Sequence, residues 1–289
     1  MIKSLLSLIR IKQWVKNIFV FFPLFFGHRF TDWDLFFNTV YAFISFSLVA
    51  SAVYCLNDLQ DIEEDRLHPK KRMRPLASGA IKIRTGRIFM CVLLCMALFI
   101  SYIIEIQLFY IISAYFLLNI FYTLKIKQYA LLDVFILSTG FILRLYAGSA
   151  VTDIILSEWI LIMTFLLALF LGFAKRRDDI LIYEKCNVQA RKNTQCYSKA
   201  FIDVLLSIIT SVIIVAYIMY CLSADIAIGQ GNIKPYITSV FVILGMFRYL
   251  QLTMVYERSG SPTELLYKDH PLQLIIAGWI FTFCLILYV

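Results

Sequence analysis

Residues 35–65 read LFFNTVYAFISFSLVASAVYCLNDLQDIEED, and the join inside this stretch sets the architecture. Its first 23 residues, 35–57, carry no charge, and a helix needs about 20 such residues to cross a bilayer. Five acids then follow within eight residues: Asp58, Asp61, Glu63, Glu64 and Asp65. Five bases come next, Arg66, Lys70, Lys71, Arg72 and Arg74. The pattern reads as a membrane span that delivers a charged segment to the membrane surface.

The rest of the chain extends that reading. Its 289 residues are 61% hydrophobic and 16% charged, with a mean hydropathy of +0.79. A soluble domain carries about 25% charged residues. Other windows without charge, such as 106–124 and 271–289, also reach spanning length. The expected spans are 15–30, 35–57, 87–104, 106–124, 131–151, 158–174, 202–223, 235–256 and 271–288. The fold class is therefore an all-α polytopic membrane protein, a bundle of nine transmembrane helices forming one domain over 1–289. Residues 1–14, MIKSLLSLIRIKQW, lack a small-residue cleavage site. They are expected to lie on the membrane as an amphipathic helix, with Lys3, Arg10 and Lys12 toward headgroups. The seven cysteines form no CxxC pair, which disfavours zinc and a disulfide framework.

Placing every Lys and Arg on this scheme gives orientation. Of 27 bases, 23 fall on one side, eight of them in loop 57–87 and seven in loop 175–200. Such asymmetry marks the cytosolic side. The N-terminus is expected in the cytosol, and the protein in the cell (inner or plasma) membrane with its working face cytosolic. The net charge of +8 belongs to that face and suits anionic lipid headgroups. No basic domain outside the membrane offers itself to nucleic acid.

Asn57, Asp58, Asp61 and Asp65 fit N-D-x-x-D-x-x-x-D. On a continuing helix, Asp58, Asp61 and Asp65 stand at i, i+3 and i+7, on one face. Carboxylates so crowded repel one another unless a cation joins them. Mg²⁺ suits them, because it takes carboxylate oxygen and completes its shell with water and phosphate. The plainer reading is an acidic cap balancing the basic loop. A second pair, Asp178 and Asp179, leaves the sixth span beside Lys175, Arg176 and Arg177. Two clusters of acids with bases on one side point to a diphosphate site.

With these stretches in place the chain resembles the UbiA superfamily of intramembrane prenyltransferases. The resemblance rests on IKQWVKN (11–17), YCLNDLQDIEEDRLHPKKRMRPLASG (54–79), YTLKIKQYALLDVFILSTGFILRLYAGSA (122–150), FAKRRDD (173–179) and SPTELLYKDHPL (261–272). KQWVKN, HPKKRMRPLASG and the R-x-x-A-G of span five are similar to its phosphoribosyltransferase branch. One departure is that KRRDD lacks a spaced DxxxD. The resemblance implies nine helices, two acidic cytosolic loops and a Mg²⁺-dependent reaction. In that reaction 5-phosphoribosyl diphosphate gives its phosphoribosyl group to a polyprenyl phosphate and releases diphosphate. Asp58, Asp61 and Asp65, with Asn57, would hold the metal and serve catalysis.

Several bases are candidate phosphate ligands. Lys12 and Lys16, at i, i+4, anchor the first span to headgroups or clamp a substrate phosphate. Arg72 and Arg74 suit the donor's 5-phosphate, because guanidinium grips phosphate with two parallel hydrogen bonds. Lys125, Lys127, Lys175 and Arg176 point to the same cytosolic mouth. Arg144 falls within a span, where a charge normally faces a cavity or a partner; Asp133 and Asp153 are its possible ion partners. Lys16, Lys125 and Arg74 are favoured among these bases. Arg248 is expected to be structural. Two alternatives stay open. One is a prenyl diphosphate donor with an aromatic acceptor; the other, more remote, is an ion or lipid transporter, which would need acids deep in the bundle.

Overall fold

The computed structural model of the chain describes residues 2–67, 71–186, 195–223, 234–257 and 262–288. His68, Lys70, Arg191, Lys192 and Arg258 lie outside the described residues. Every regular element among the described residues is helical. Among the described residues, seven helices are long and apolar enough to cross a membrane by length and composition. The chain divides into two compact units, Met1–Leu156 and Ser157–Val289.

The first unit is organised around α3 (Trp33–Gln60), which Asp32 caps by accepting the Leu35 N–H at 3.3 Å. Its side chains are apolar around the whole circumference, the mark of a helix surrounded by others. Small residues, Ala42, Ser45, Ser47, Ala50, Ser51 and Ala52, let its neighbours approach closely. Three further long helices pack on it: α5 (Ile83–Ile104), α6 (Ile106–Leu124) and α7 (Leu132–Thr152). Ser45 Oγ donates to the Ala97 carbonyl of α5 at 2.8 Å. Phe46, Val49, Val53, Ile112, Tyr115 and Ala147 form the core between them.

The segment expected as the first span, 15–30, is built differently from an α-helix. Residues Ile11–Phe21 form a 3-10 helix, followed by the short α2 (Phe22–Phe26) with Pro23 in its first turn. A 3-10 helix rises about 2 Å per residue against 1.5 Å in an α-helix, so the two pieces together reach about 30 Å. The cause is a close approach to two partners. Trp14 Nε1 donates to Ser51 Oγ at 3.1 Å, and Asn17 Nδ2 donates to Ser47 Oγ at 2.9 Å. Residues three apart share an edge in a 3-10 helix, so Trp14, Asn17 and Val20 face the bundle together. On the α7 side, a Cβ at Gly148 would stand 1.9 Å from the Val20 carbonyl oxygen. Only glycine permits that contact.

The same geometry corrects the expected Lys12–Lys16 pair. In a 3-10 helix residues four apart do not share a face, and Lys12 is exposed while Lys16 is half-buried. The amphipathic segment expected over 1–14 is also shorter: α1 covers Ile2–Ile9. Leu8 is buried and packs with Ala52, Cys55 and Ile62.

In the second unit, α8 (Glu158–Cys186) packs on α9 (Lys199–Leu222), and α10 (Ser239–Met254) packs on α9 and on α12 (His270–Tyr288). The short α11 (Pro262–Lys268) precedes α12. α8 runs well beyond the expected span end at 174, so Lys175, Arg176, Arg177, Asp178 and Asp179 stand on helix and not in a loop.

Candidate active site

The acid motif lies where α3 gives way to α4 (Ile62–Leu67). The helix pauses at Asp61, whose backbone leaves the helical region at φ −100° and ψ 15°. Its N–H still reaches the Asn57 carbonyl at 2.9 Å, and the Asp65 N–H reaches the Asp61 carbonyl at 2.8 Å. The break is slight, and Asp58 and Asp65 stay on one side, both 2% exposed.

One guanidinium joins these two buried acids. Arg74 Nη1 donates to Asp58 Oδ1 at 3.1 Å and to Asp65 Oδ2 at 2.7 Å. Arg10 Nη2 meets the same Asp58 oxygen at 2.5 Å. Asp61 turns instead to Lys127 Nζ, also at 2.5 Å. Asn57 Oδ1 accepts from Thr123 Oγ1 of α6. The single-face arrangement expected for the acids thus becomes a buried pair, Asp58 and Asp65, with Asp61 set apart.

The loop after α4 brings Arg74 to this position. Its 3-10 turn Lys71–Met73 closes with the Arg74 N–H on the Lys71 carbonyl at 2.9 Å. Arg66 Nε holds the Ala77 carbonyl at 3.2 Å, and Leu76 buries itself against the α3–α5 core. Gly79 takes a left-handed φ of 77°, which reverses the chain toward α5. The basic run therefore folds back over the acids. Arg72 remains exposed and Arg74 does not.

Two bases at this site depart from the expected set. Lys125 is exposed, and it is Lys127 that reaches Asp61. The short 3-10 turn Ile126–Gln128 makes the difference, and no periodicity in LKIKQ signals it. Arg10, expected among headgroups, turns inward. It adopts a left-handed φ of 52° between α1 and the 3-10 helix, and its guanidinium lies 4.9 Å from the Tyr54 ring centroid. A non-glycine residue there is strained; the Asp58 ion pair and the Ser51 Oγ bond to the Ile9 carbonyl, 2.9 Å, hold it.

The donor set suits a hard divalent cation. It offers carboxylate and amide oxygen alone, and a positive nitrogen already bridges its two buried acids. Such an ion takes one or two carboxylates and draws the rest of its shell from water and phosphate. No cluster of three or more His, Cys, Asp or Glu side chains placed for a metal exists among the described residues. Protein ligands beyond the pair are thus sparse.

Farther along the same unit lies Arg144, 5% exposed in the middle of α7. Its Nε donates to Asn17 Oδ1 at 2.8 Å, Nη1 to the Gly140 carbonyl at 2.7 Å and Nη2 to Tyr115 Oη at 3.2 Å. The rings of Phe46, Tyr115 and Phe141 lie 5.0, 5.2 and 4.8 Å from it. Its partners are neutral, and neither Asp133 nor Asp153 pairs with it. Lys16 lies within electrostatic reach of Arg144 and Arg10.

In the second unit Arg176, Arg177 and Arg248 are paired with acids. Arg176, 2% exposed, holds Asp179 Oδ2 at 2.7 Å one turn along α8. Arg177, 1% exposed, donates to Asp203 Oδ1 of α9 at 2.6 Å and to the Thr253 carbonyl of α10 at 2.7 Å. It ties three helices together, a role that sequence gave no reason to assign. Asp178 lies within electrostatic reach of Tyr249, and Lys175 is exposed. Arg248 grips Asp269 through Nη2 at 2.8 Å, and that hydrogen bond holds the Asp269 carboxyl below the usual carboxylate range.

Comparison with known proteins supplies the family and the fold. The chain is 28% identical over 292 residues to decaprenyl-phosphate phosphoribosyltransferase of Mycolicibacterium smegmatis, covering 98% of this chain and 92% of that one. It is 28% identical over 297 residues to the protein of that name from Corynebacterium glutamicum, covering 99% and 87%. Among solved structures, a UbiA homologue from Archaeoglobus fulgidus bound to DMAPP and Mg²⁺ superposes with a TM-score of 0.72. That pair is 18% identical, with 99% of each chain covered, so the likeness is one of fold. The model of the UbiA prenyltransferase family matches residues 18–268. With most of its length so matched, the chain belongs to the UbiA prenyltransferase family and is an integral membrane transferase.

Proposed function

We propose that this protein transfers the 5-phosphoribosyl group of 5-phosphoribosyl diphosphate to a polyprenyl phosphate. A phosphate oxygen of the lipid bonds to C1 of the ribose as the bond from C1 to diphosphate breaks. The electron pair of that bond leaves with the diphosphate. The observation that carries this reading is the buried pair Asp58–Asp65 bridged by Arg74, with Arg10 and Lys127 beside it. Acids and bases so interleaved suit a metal-bound diphosphate. The choice of phosphoribosyl donor rests on the relatives' names and on their coverage of nearly the whole chain.

Asp58 and Asp65, with Asn57 and Asp61 alongside, would hold Mg²⁺. When bound, it supplies neutralising charge to the diphosphate leaving group. Arg74 and Arg10 neutralise the acids in the arrangement described here. Their guanidinium forks also match phosphate oxygens, so they are poised to serve the donor. Exposed Arg72, Lys125 and Lys12 add positive potential that draws an anionic donor inward. The acceptor is already an anion, so no general base is required. Among the described residues no histidine contacts the acids.

We read the topology as nine crossings with the N-terminus in the cytosol of the cell membrane. The one-sided distribution of Lys and Arg supports this. So does the reach of residues 11–26, about 30 Å, the thickness of the hydrocarbon core.

The test uses purified protein in nanodiscs with Mg²⁺, radiolabelled 5-phosphoribosyl diphosphate and a polyprenyl phosphate. Label is expected to enter the organic phase only with Mg²⁺ present, and Asp58→Asn is expected to abolish it. A well-folded wild type that labels no lipid, yet joins a prenyl diphosphate to an aromatic acceptor, overturns the reading.

A further inference from the structure

Arg144 and Lys16 present a physical problem that the acid site does not. A buried guanidinium surrounded by hydrocarbon is costly unless an opposite charge or a full set of hydrogen bonds compensates it. Arg144 has neither among the described residues. Three of its five N–H donors go to neutral acceptors, Asn17, Gly140 and Tyr115, and no acid pairs with it. Lys16 adds a second cation within electrostatic reach, without an ion pair or hydrogen bond of its own among the described residues.

The surroundings were built to hold this charge. The unusually long 3-10 helix Ile11–Phe21 carries both Lys16 and the Asn17 that fixes the Arg144 guanidinium. Gly148, one turn after Arg144, lets that helix lie against α7. Three rings wall the guanidinium, from Phe46, Tyr115 and Phe141. Two cations are thus brought together and left without an anion among the described residues.

We propose that Lys16 and Arg144 form the seat for the phosphate monoester of the lipid acceptor, a proposal that rests on the phosphoribosyl-transfer reading above. A phosphate monoester could also come from the donor, through its 5-phosphate. Two features select the acceptor. The acids that suit a metal-bound diphosphate are gathered at Asp58 and Asp65, whereas this seat holds cations without acids and suits an anion that carries no metal. Its walls are aromatic, which fits a phosphate attached to hydrocarbon better than one attached to a hydroxylated sugar. Phe46, under Arg144, precedes Asp58 by about three turns of α3. The seat therefore lies inward of the acids, and Lys16 links it electrostatically to Arg10 beside Asp58.

The experiment measures KM for each substrate separately in Lys16→Gln, Arg144→Lys and Arg144→Gln proteins reconstituted in nanodiscs. Loss of a charge-assisted hydrogen bond is expected to raise KM for the polyprenyl phosphate about tenfold or more. KM for 5-phosphoribosyl diphosphate is expected to stay within about twofold. A rise confined to the donor's KM moves the seat to the donor's 5-phosphate and overturns the proposal. A fall in kcat with both KM values unchanged makes the pair structural, and also overturns it.

A second measurement needs neither turnover nor the buried Arg144 variants. Thermal unfolding of wild type and Lys16→Gln is followed with farnesyl phosphate, farnesol or inorganic phosphate. Farnesyl phosphate is expected to raise Tm in wild type, farnesol and inorganic phosphate to raise it less, and Lys16→Gln to lose the difference. Equal protection by inorganic phosphate overturns the lipid assignment. If wild type transfers no phosphoribosyl group but shows this phosphate-specific protection, the seat stands and the reaction falls. If it transfers the group and the seat variants change neither KM nor protection, the reaction stands and the seat falls.

Discussion

Arg144 in the first unit and Arg177 in the second are both buried arginines, 5% and 1% exposed, on long apolar helices. Their partners differ in kind. Arg177 spends its charge on Asp203 and closes its hydrogen bonding on the Thr253 carbonyl. Arg144 meets amide, carbonyl, phenol and ring faces, all neutral. A closed pair such as Arg177–Asp203 has its energetic work finished when the protein folds. On the proposal made above, an open cation such as Arg144 keeps its strongest interaction in reserve for a ligand. Burial is common to both; what separates these two arginines is the charge of their partners.

The largest effect that would sharpen this contrast is expected in the first unit. Asp58→Asn should lower turnover by about a thousandfold, equivalent to about 4 kcal/mol of lost transition-state stabilisation. The cations left behind, Arg10 and Arg74, are partly exposed and Arg74 keeps its pair with Asp65, so Tm should shift little. Initial rates and thermal unfolding on one preparation check both halves. The reverse is expected at Asp203→Asn, which leaves the Arg177 charge buried beside a neutral amide. Unfolding stability should fall by about 3 kcal/mol, the lower end for a broken buried pair because Asp203 keeps some solvent contact. Both KM values of the folded fraction should stay unchanged. Lost turnover at unchanged stability in Asp203→Asn would break the comparison.

The contrast was only partly legible in the sequence. Long uncharged runs announced α3, α6 and α9 because crossing a bilayer imposes a minimum length that few other structures share. NDLQDIEED and the bases after it announced an acid–base centre, and Arg74 was found there. The 3-10 geometry of Ile11–Phe21 was hidden, since it depends on Ser47, Ser51 and Gly148 of other helices and leaves no period of its own. That one misreading hid the separation of Lys12 from Lys16 and the inward turn of Arg10. Lys127 against Lys125 turned on a single short turn. Arg177 was hidden beside Arg176 in KRR, because only the three-dimensional approach of Asp203 separates their roles.

A third prediction follows from that hidden geometry. In Gly148→Ala the new methyl meets the Val20 carbonyl and must push the 3-10 helix off α7. Overpacking of this sort costs about 1–3 kcal/mol. Asn17 and Lys16 would move away from Arg144 with the helix. KM for the lipid acceptor should then rise more than KM for the donor, as steady-state kinetics with each substrate varied would reveal. Equal rises would mean that the helix positions both substrates alike.

The smallest effect belongs to Asp269, whose partner Arg248 keeps contact with water. Its carboxylate accepts from Arg248 and from the Leu272 N–H at 2.9 Å, so it joins α10 to the start of α12. Because the Arg248 hydrogen bond lowers its proton affinity in the folded state, the pair stabilises the fold above the ordinary carboxylate pKa of about 3.9. That contribution is lost as pH falls through the lower, folded value. Asp269→Asn should therefore cost less than about 1 kcal/mol at neutral pH, the usual worth of a partly solvated pair. The gap in Tm between wild type and variant should narrow below about pH 4. A gap that holds constant down to pH 3 would assign the effect to helix capping alone, since an asparagine side chain at this position caps without charge.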